Sequence, residues 1–273
     1  MQTFSRSDAL LVLIACLPSL SCQAWAESKP AAAPQITIEN AARDSLHAMS
    51  EYLKASKSFS FQADIQYDDV LPSGQKIAFS ARSDISLRRP NGIQARQTSD
   101  SGARAFWFNG KQLTLLDPVR NTYAVEPLSG NTDRALDHMI NQLHFTPPLS
   151  DFLYENPEKA LSKNTIHGFV VGSGDVNGIP CQHLAFVDNL IDWQLWIDSG
   201  KLPLPRKLVI TYKTLPNSPQ FMATLSGWDF SSRLPDSLFV ANIPANALKI
   251  PFMKEAQAKT SPATPVKKNP SAR

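Results

Sequence analysis

Between Phe59 and Leu87 the apolar residues fall on every second position. Phe59, Phe61, Ala63, Ile65 and Tyr67 alternate with Ser60, Gln62, Asp64 and Gln66. After the Leu71-Pro72-Ser73-Gly74 turn, Ile77, Phe79, Ala81, Ile85 and Leu87 take up the same rhythm. A period of two puts these side chains on one face of an extended chain and the polar ones on the other. The segment therefore reads as a long antiparallel hairpin with one face buried and the other in water.

Shorter strands follow. Arg89-Pro90-Asn91-Gly92 separates the hairpin from a strand over 93–98, and Asp100-Ser101-Gly102 leads into 103–108. Asn109-Gly110 is a tight hairpin turn, 112–116 returns, and one more strand runs to Val125. Neighbouring strands joined by such short turns pair with one another, which argues for one antiparallel sheet. Helical spacing interrupts it. Ala42, Leu46, Met49 and Leu53 predict an amphipathic helix over 38–56. Leu136, Met139, Ile140 and Leu143 mark a second helix, Leu149, Phe152 and Leu153 another, and 157–162 a third short one. Strands resume over 168–171, 182–187, 193–197, 207–213 and 221–228, with proline-rich loops between the later ones.

A sheet of roughly ten strands must curl or be covered. Helices at the start and middle of such a meander can plug one open face of a curled sheet, and any part left unfilled is an apolar cavity. Phe59, Phe61, Ile65, Ile77, Phe79, Trp107, Trp193, Leu195 and Ile197 are the candidate lining on the strands, with Met139, Ile140 and Leu143 on the covering helix. The plainer reading, that each of these residues simply fills the core, stands beside it.

The termini carry different information. Arg6 precedes the apolar run Ala9–Leu17, and small residues lead to Ala24-Trp25-Ala26, the pattern of an export signal cleaved after Ala26. Residues 27–35 then read as a flexible leader, 36–253 as a single domain and 254–273 as a disordered, basic Pro/Ala/Lys tail. No later stretch approaches the roughly 18–20 apolar residues of a membrane span, so the mature body is expected to be soluble. Leu13-Ile14-Ala15-Cys16 resembles a bacterial lipobox, which makes lipidation at Cys16 and a membrane-anchored lipoprotein the alternative to soluble export. After cleavage at Ala26 only Cys181 remains, so no intramolecular disulfide is available and the fold depends on its core.

The net charge is +3 over 273 residues. Residues 254–273 hold five Lys or Arg against one Glu, and 1–26 hold one charge of each sign, so the body carries −1. That gives no basic groove and no case for nucleic acid. The five histidines, His47, His138, His144, His167 and His183, form no H-E-x-x-H and stand near no cysteine cluster, so no metal site is expected. There is no phosphate-binding loop, no G-x-G-x-x-G and no G-x-S-x-G elbow. Gly174-Asp175-Val176-Asn177-Gly178 is a hairpin turn rather than a calcium loop. Neither a cofactor nor a catalytic residue is assigned, and a hydrolase assembled from scattered residues is the least favoured reading.

Several pieces together resemble a known family. They are Asp192-Trp193-Gln194-Leu195-Trp196-Ile197, the following Pro203-Leu204-Pro205-Arg206-Lys207-Leu208-Val209-Ile210, the Phe108-Asn109-Gly110-Lys111 hairpin, Leu116-Asp117-Pro118 and the closing Ile250-Pro251-Phe252. Gln75-Lys76-Ile77-Ala78-Phe79-Ser80 and Arg88-Arg89-Pro90 belong to the same pattern. The chain is similar from about Ala42 to Phe252 to the predicted periplasmic proteins of domain-of-unknown-function family 2092. The resemblance implies a mainly β (α+β) fold like that of the lipoprotein carriers LolA and LolB, an unclosed, strongly curved antiparallel β-barrel with helices covering its concave face. Those carriers hold acyl chains in an apolar periplasmic cavity, and the envelope-stress sensor RseB has a related domain. The expectation is a monomeric, non-catalytic binding or carrier module for a hydrophobic small molecule, lipid or lipoprotein acyl chain. A regulatory protein that meets an envelope partner is the alternative. Arg206, beside a strand start, is left with two readings, a structural role and a ligand contact, with the structural one at least as favoured.

Overall fold

The computed structural model describes residues 37–252, so the export signal, Cys16, the leader and the basic tail lie outside the described residues. In chain order the first half comprises β1 (Thr37–Ile38), α1 (Asn40–Ala55), β2 (Ser58–Val70), β3 (Lys76–Arg88), β4 (Gly92–Ser99), β5 (Gly102–Phe108), β6 (Gln112–Asp117) and β7 (Thr122–Pro127). The crossover holds α2 (Thr132–Asn141), a 3-10 turn at Ser150–Phe152 and α3 (Pro157–Ser162). The second half comprises β8 (Thr165–Val176), β9 (Ile179–Asp188), β10 (Ile191–Asp198), β11 (Pro205–Tyr212), β12 (Gln220–Asp229) and β13 (Leu248–Lys249).

All the strands join one sheet in the order β1-β8-β9-β10-β11-β12-β2-β3-β4-β5-β6-β7-β13. Each half is a meander of sequence neighbours, and the β12–β2 pairing welds the halves together, with Phe221 opposite Tyr67 and Leu225 opposite Ala63. The two end pairings, β1 with β8 and β13 with β7, are parallel and two residues long. The ends do not meet. The sheet is mainly antiparallel and unclosed, with helices on its inner side, as the sequence pattern and the family resemblance imply.

Register decides which side chains face inward. Phe59 stands opposite Leu87, Phe61 opposite Ile85 and Tyr67 opposite Phe79, so the odd positions of β2 and β3 share one face. The same face continues through Ile93 and Ala95 to Phe108 and Phe106. In the other direction it runs through Ala223 and Leu208 to Leu195 and Leu184. Ala42, Leu46, Met49 and Leu53 of α1 are buried against this face, which is the stripe the helical spacing predicts.

Helix α1 begins two residues later than the expected 38–56. Ile38 is committed to β1, and the Glu39 N–H donates to the Gly168 carbonyl at 2.9 Å. The Glu39 carboxylate accepts from the Val170 N–H, so it serves the sheet edge instead of capping the helix. Helix α2 ends at Asn141, short of Leu143, because His144 turns into the left-handed region (φ 49°). The Phe145 N–H then returns to the Met139 carbonyl at 2.9 Å. Arg89 ties the crossover to the sheet by donating to the carbonyls of Leu153 and Tyr154.

The last described segment crosses the outer face. Phe239 is buried over Gly92, where a Cβ would come within 3.0 Å of its ring, and the Arg88 guanidinium lies 4.7 Å from that ring's centre. Further along, Ala241 and Ile243 cover a small outer cluster of Ala105, Trp107 and Leu116.

Candidate functional site

The inner face has two unlike ends. At one end aromatic side chains fill the space under the helices. Phe61 stacks on Trp228 with ring centres 4.4 Å apart, Phe59 touches Phe61, Trp228 and Phe230, and Phe186 stacks on Trp193 at 4.0 Å. At the other end the strands run beyond this filling and leave a half-open groove of about 780 Å³. That lies within the roughly 300–1,000 Å³ of small-molecule sites.

Each wall follows from register. Ile65 and Tyr67 come from the end of β2, Phe221 from the start of β12, Leu208, Ile210 and Tyr212 from β11, and Ile191 from the start of β10. Gln97, Ser99 and Arg104, from paired positions on β4 and β5, make the facing wall. The stretch 144–151 closes one side. It is held there by Phe145, whose ring meets Phe106 edge-on with centres 6.0 Å apart.

The charges in the groove are of two kinds. Asp68 is met by the Lys76 ammonium at 3.3 Å and the Gln220 N–H at 3.0 Å, and Asp117 by Arg120 at 2.7 Å. Among the described residues Asp151 has no such cation. Burial pushes its carboxyl above the usual carboxylate range against a hydrogen bond from its own N–H. Burial also raises the Tyr212 phenol, and the Asp151 charge adds to the shift.

Residues 42–253 match the family model described as "Predicted periplasmic protein (DUF2092)". The chain belongs to this family. No curated protein matches it in sequence. Among solved structures it is similar to an uncharacterised conserved protein of Thermus thermophilus, at 10% identity and a TM-score of 0.45 over 77% of this chain and 99% of that one. It is similar to the lipoprotein LppX of Mycobacterium tuberculosis at 12% identity and a TM-score of 0.44, covering 71% and 98%. A LolA superfamily protein of Nitrosomonas europaea gives 13% identity and a TM-score of 0.35, covering 73% and 97%.

In this DUF2092 chain the residues singled out by sequence are placed as follows. Ile65 lines the groove. Phe59, Phe61, Met139, Leu143, Trp193, Leu195 and Ile197 belong to the packed core, with Ile197 also at the edge of a smaller hollow beside α1. Ile140, on the flank of α2, is half-buried. Ile77 and Phe79 lie near the far end of β3, where Phe79 stacks on Tyr67 at 5.7 Å. Trp107 faces outward, opposite Gln94 and Thr114. The four buried residues 105–108 conceal the phase of alternation, so sequence alone does not show which of them points in. Phe145, Asp151, Leu208, Ile210, Tyr212 and Phe221 are the groove residues that sequence reasoning passed over. The alternation Leu208, Ile210, Tyr212 was available as a signal, whereas nothing local marks Asp151.

Arg206 is structural, with its guanidinium on Asp198 at 2.6 Å. Cys181 is 1% exposed and its Sγ–H donates to the Ile179 carbonyl, as a small buried residue would. Among the described residues no three or more His, Cys, Asp or Glu are placed to hold a metal ion. No helix among them is long and apolar enough to cross a membrane.

Proposed function

We propose that this DUF2092 protein is an exported binding or carrier module that holds the apolar part of a lipid or acyl ligand in the groove between β2, β10–β12 and the 144–151 stretch. It performs no chemistry on that ligand. The groove itself carries the reading. A core-forming sheet face continues past its covering helices: Ile65 and Leu208 are buried at the base of the groove, and Ile191, Ile210 and Phe221 keep part of their apolar surface accessible where the rest of the inner face is packed. Apolar surface left concave and reachable gains free energy from any amphiphile that covers it, at about 25 cal/mol per Å² removed from water. The family description and the signal-like residues 1–26 support a periplasmic location, with cleavage after Ala26 or, alternatively, anchoring through Cys16.

Native mass spectrometry of the mature protein, purified from its own periplasm, tests this reading. A bound mass of lipid size that organic solvent removes is the expected result. An empty spectrum, under conditions that keep lipid on a known carrier, overturns it and leaves recognition of an envelope protein as the better account.

A further inference from the structure

One feature of the groove does not suit a purely apolar ligand. Asp151 and Tyr212 line it together, one from the 3-10 turn and the other from the end of β11. Among the described residues the Asp151 carboxylate is met by no cation, and the Tyr212 hydroxyl makes no hydrogen bond. An unpaired carboxylate held against apolar walls destabilises the fold that contains it. Groups of this kind concentrate in binding sites, where a ligand supplies the missing partner.

The remaining charges narrow the partner further. Asp68 and Asp117 are already met by Lys76 and Arg120. Arg104 lines the same groove and has neither an ion pair nor a hydrogen bond among the described residues. His144 lies exposed at the rim. Among the described residues the groove thus holds one unpaired acid, Asp151, and one unpaired guanidinium, the exposed Arg104. A fatty acid or a phosphatidylglycerol head would bring only negative charge toward Asp151, and a simple cationic amphiphile would leave Arg104 unmatched.

We infer that the groove selects a zwitterionic phospholipid of the phosphoethanolamine class, with its ammonium at Asp151 and Tyr212 and its acyl chain along Ile191, Ile210 and Phe221. The ammonium offers three donors to a carboxylate and a phenol oxygen that have room to accept. Arg104 gives the groove the positive charge that a lipid phosphate requires. This inference rests on the reading of the groove as an acyl site.

The test offers the mature protein mixed vesicles of phosphatidylethanolamine and phosphatidylglycerol in equal amounts with identical acyl chains. Lipid retained after repurification is then counted by mass spectrometry. The wild type is expected to favour the ethanolamine lipid by about tenfold, the discrimination of one charge-assisted contact. Asp151→Asn is expected to bring that ratio close to one by lowering retention of the ethanolamine lipid and not of the glycerol lipid, and Tyr212→Phe to lower it in the same direction. Equal retention of the two lipids by the wild type, or a preference that neither variant alters, overturns the head-group assignment and leaves the acyl site standing. Retention of no lipid by any variant overturns both.

Discussion

The ring of Phe145 meets the ring of Phe106 edge-on, with centres 6.0 Å apart. Phe106 is buried on the inner face of β5, and Phe145 belongs to the stretch that closes the groove. This contact joins the crossover to the first meander just where the groove opens. Edge-to-face pairs contribute about 0.5–1.5 kcal/mol beyond the area they bury.

Phe145→Ala is therefore expected to destabilise the protein by about 1–3 kcal/mol, less than the ~3–5 of a fully buried phenylalanine because the ring is only partly covered. It should also loosen the groove wall. Urea unfolding measures the first effect, and faster exchange of bound lipid measures the second.

Asp151 gives a pH signature. Burial raises its carboxyl in the folded protein above its unfolded value, so the folded state holds the proton more tightly. Stability from this group is complete below the unfolded value and is lost as pH rises through the folded one, the reverse of a salt-bridged aspartate. Asp151→Asn is expected to raise the unfolding midpoint of ligand-free protein at pH 7 and to remove its share of the pH dependence. Denaturant curves at pH 5 and pH 7 check both. A stabilising change at such a groove residue would fit stability given up for the proposed function.

Gly168 leaves no space for a side chain. A Cβ there would stand 2.5 Å from Phe186 Cδ1 and 3.2 Å from Ile38 Cγ2. Phe186 cannot withdraw, because Trp193 is stacked against it at 4.0 Å. Gly168→Ala is expected to cost about 1–3 kcal/mol, the range for overpacking a tight core. Phe186→Leu in the same chain should recover part of that loss. Thermal unfolding of the single and double variants decides it.

His47 on α1 meets Glu158 on α3, Nδ1 to Oε2, at 2.8 Å. The hydrogen bond to Glu158, with its charge, raises the imidazole above 6.5. The tie is complete below the unfolded value and weakens as pH rises through the folded one. The pair is exposed, so its effect on overall stability is small. An NMR titration of the His47 ring is expected to show a midpoint above 6.5, and Glu158→Gln to lower it.

How far the protein can be read from sequence differs between its two levels. Alternation at Phe59–Tyr67 and Ile77–Leu87 determines the central hairpin, and the spacing of Ala42, Leu46, Met49 and Leu53 determines the buried stripe of α1. Both are periodicities of the backbone itself, visible in any stretch long enough to repeat. The same alternation separates the inner from the outer face, and it loses its phase only where consecutive residues are all buried, as at Trp107. How far along each strand the helices reach has no such local signature. Phe59 and Tyr67 share a strand and a face, yet the first is buried among Phe61, Trp228 and Phe230 while the second lines the groove half-buried. That Asp151 and Tyr212 line one groove is likewise a product of chain segments about sixty residues apart. The difference is physical: periodicity is written in neighbouring residues, whereas a cavity is the space that distant elements fail to fill, and only their packing in three dimensions decides where that space is.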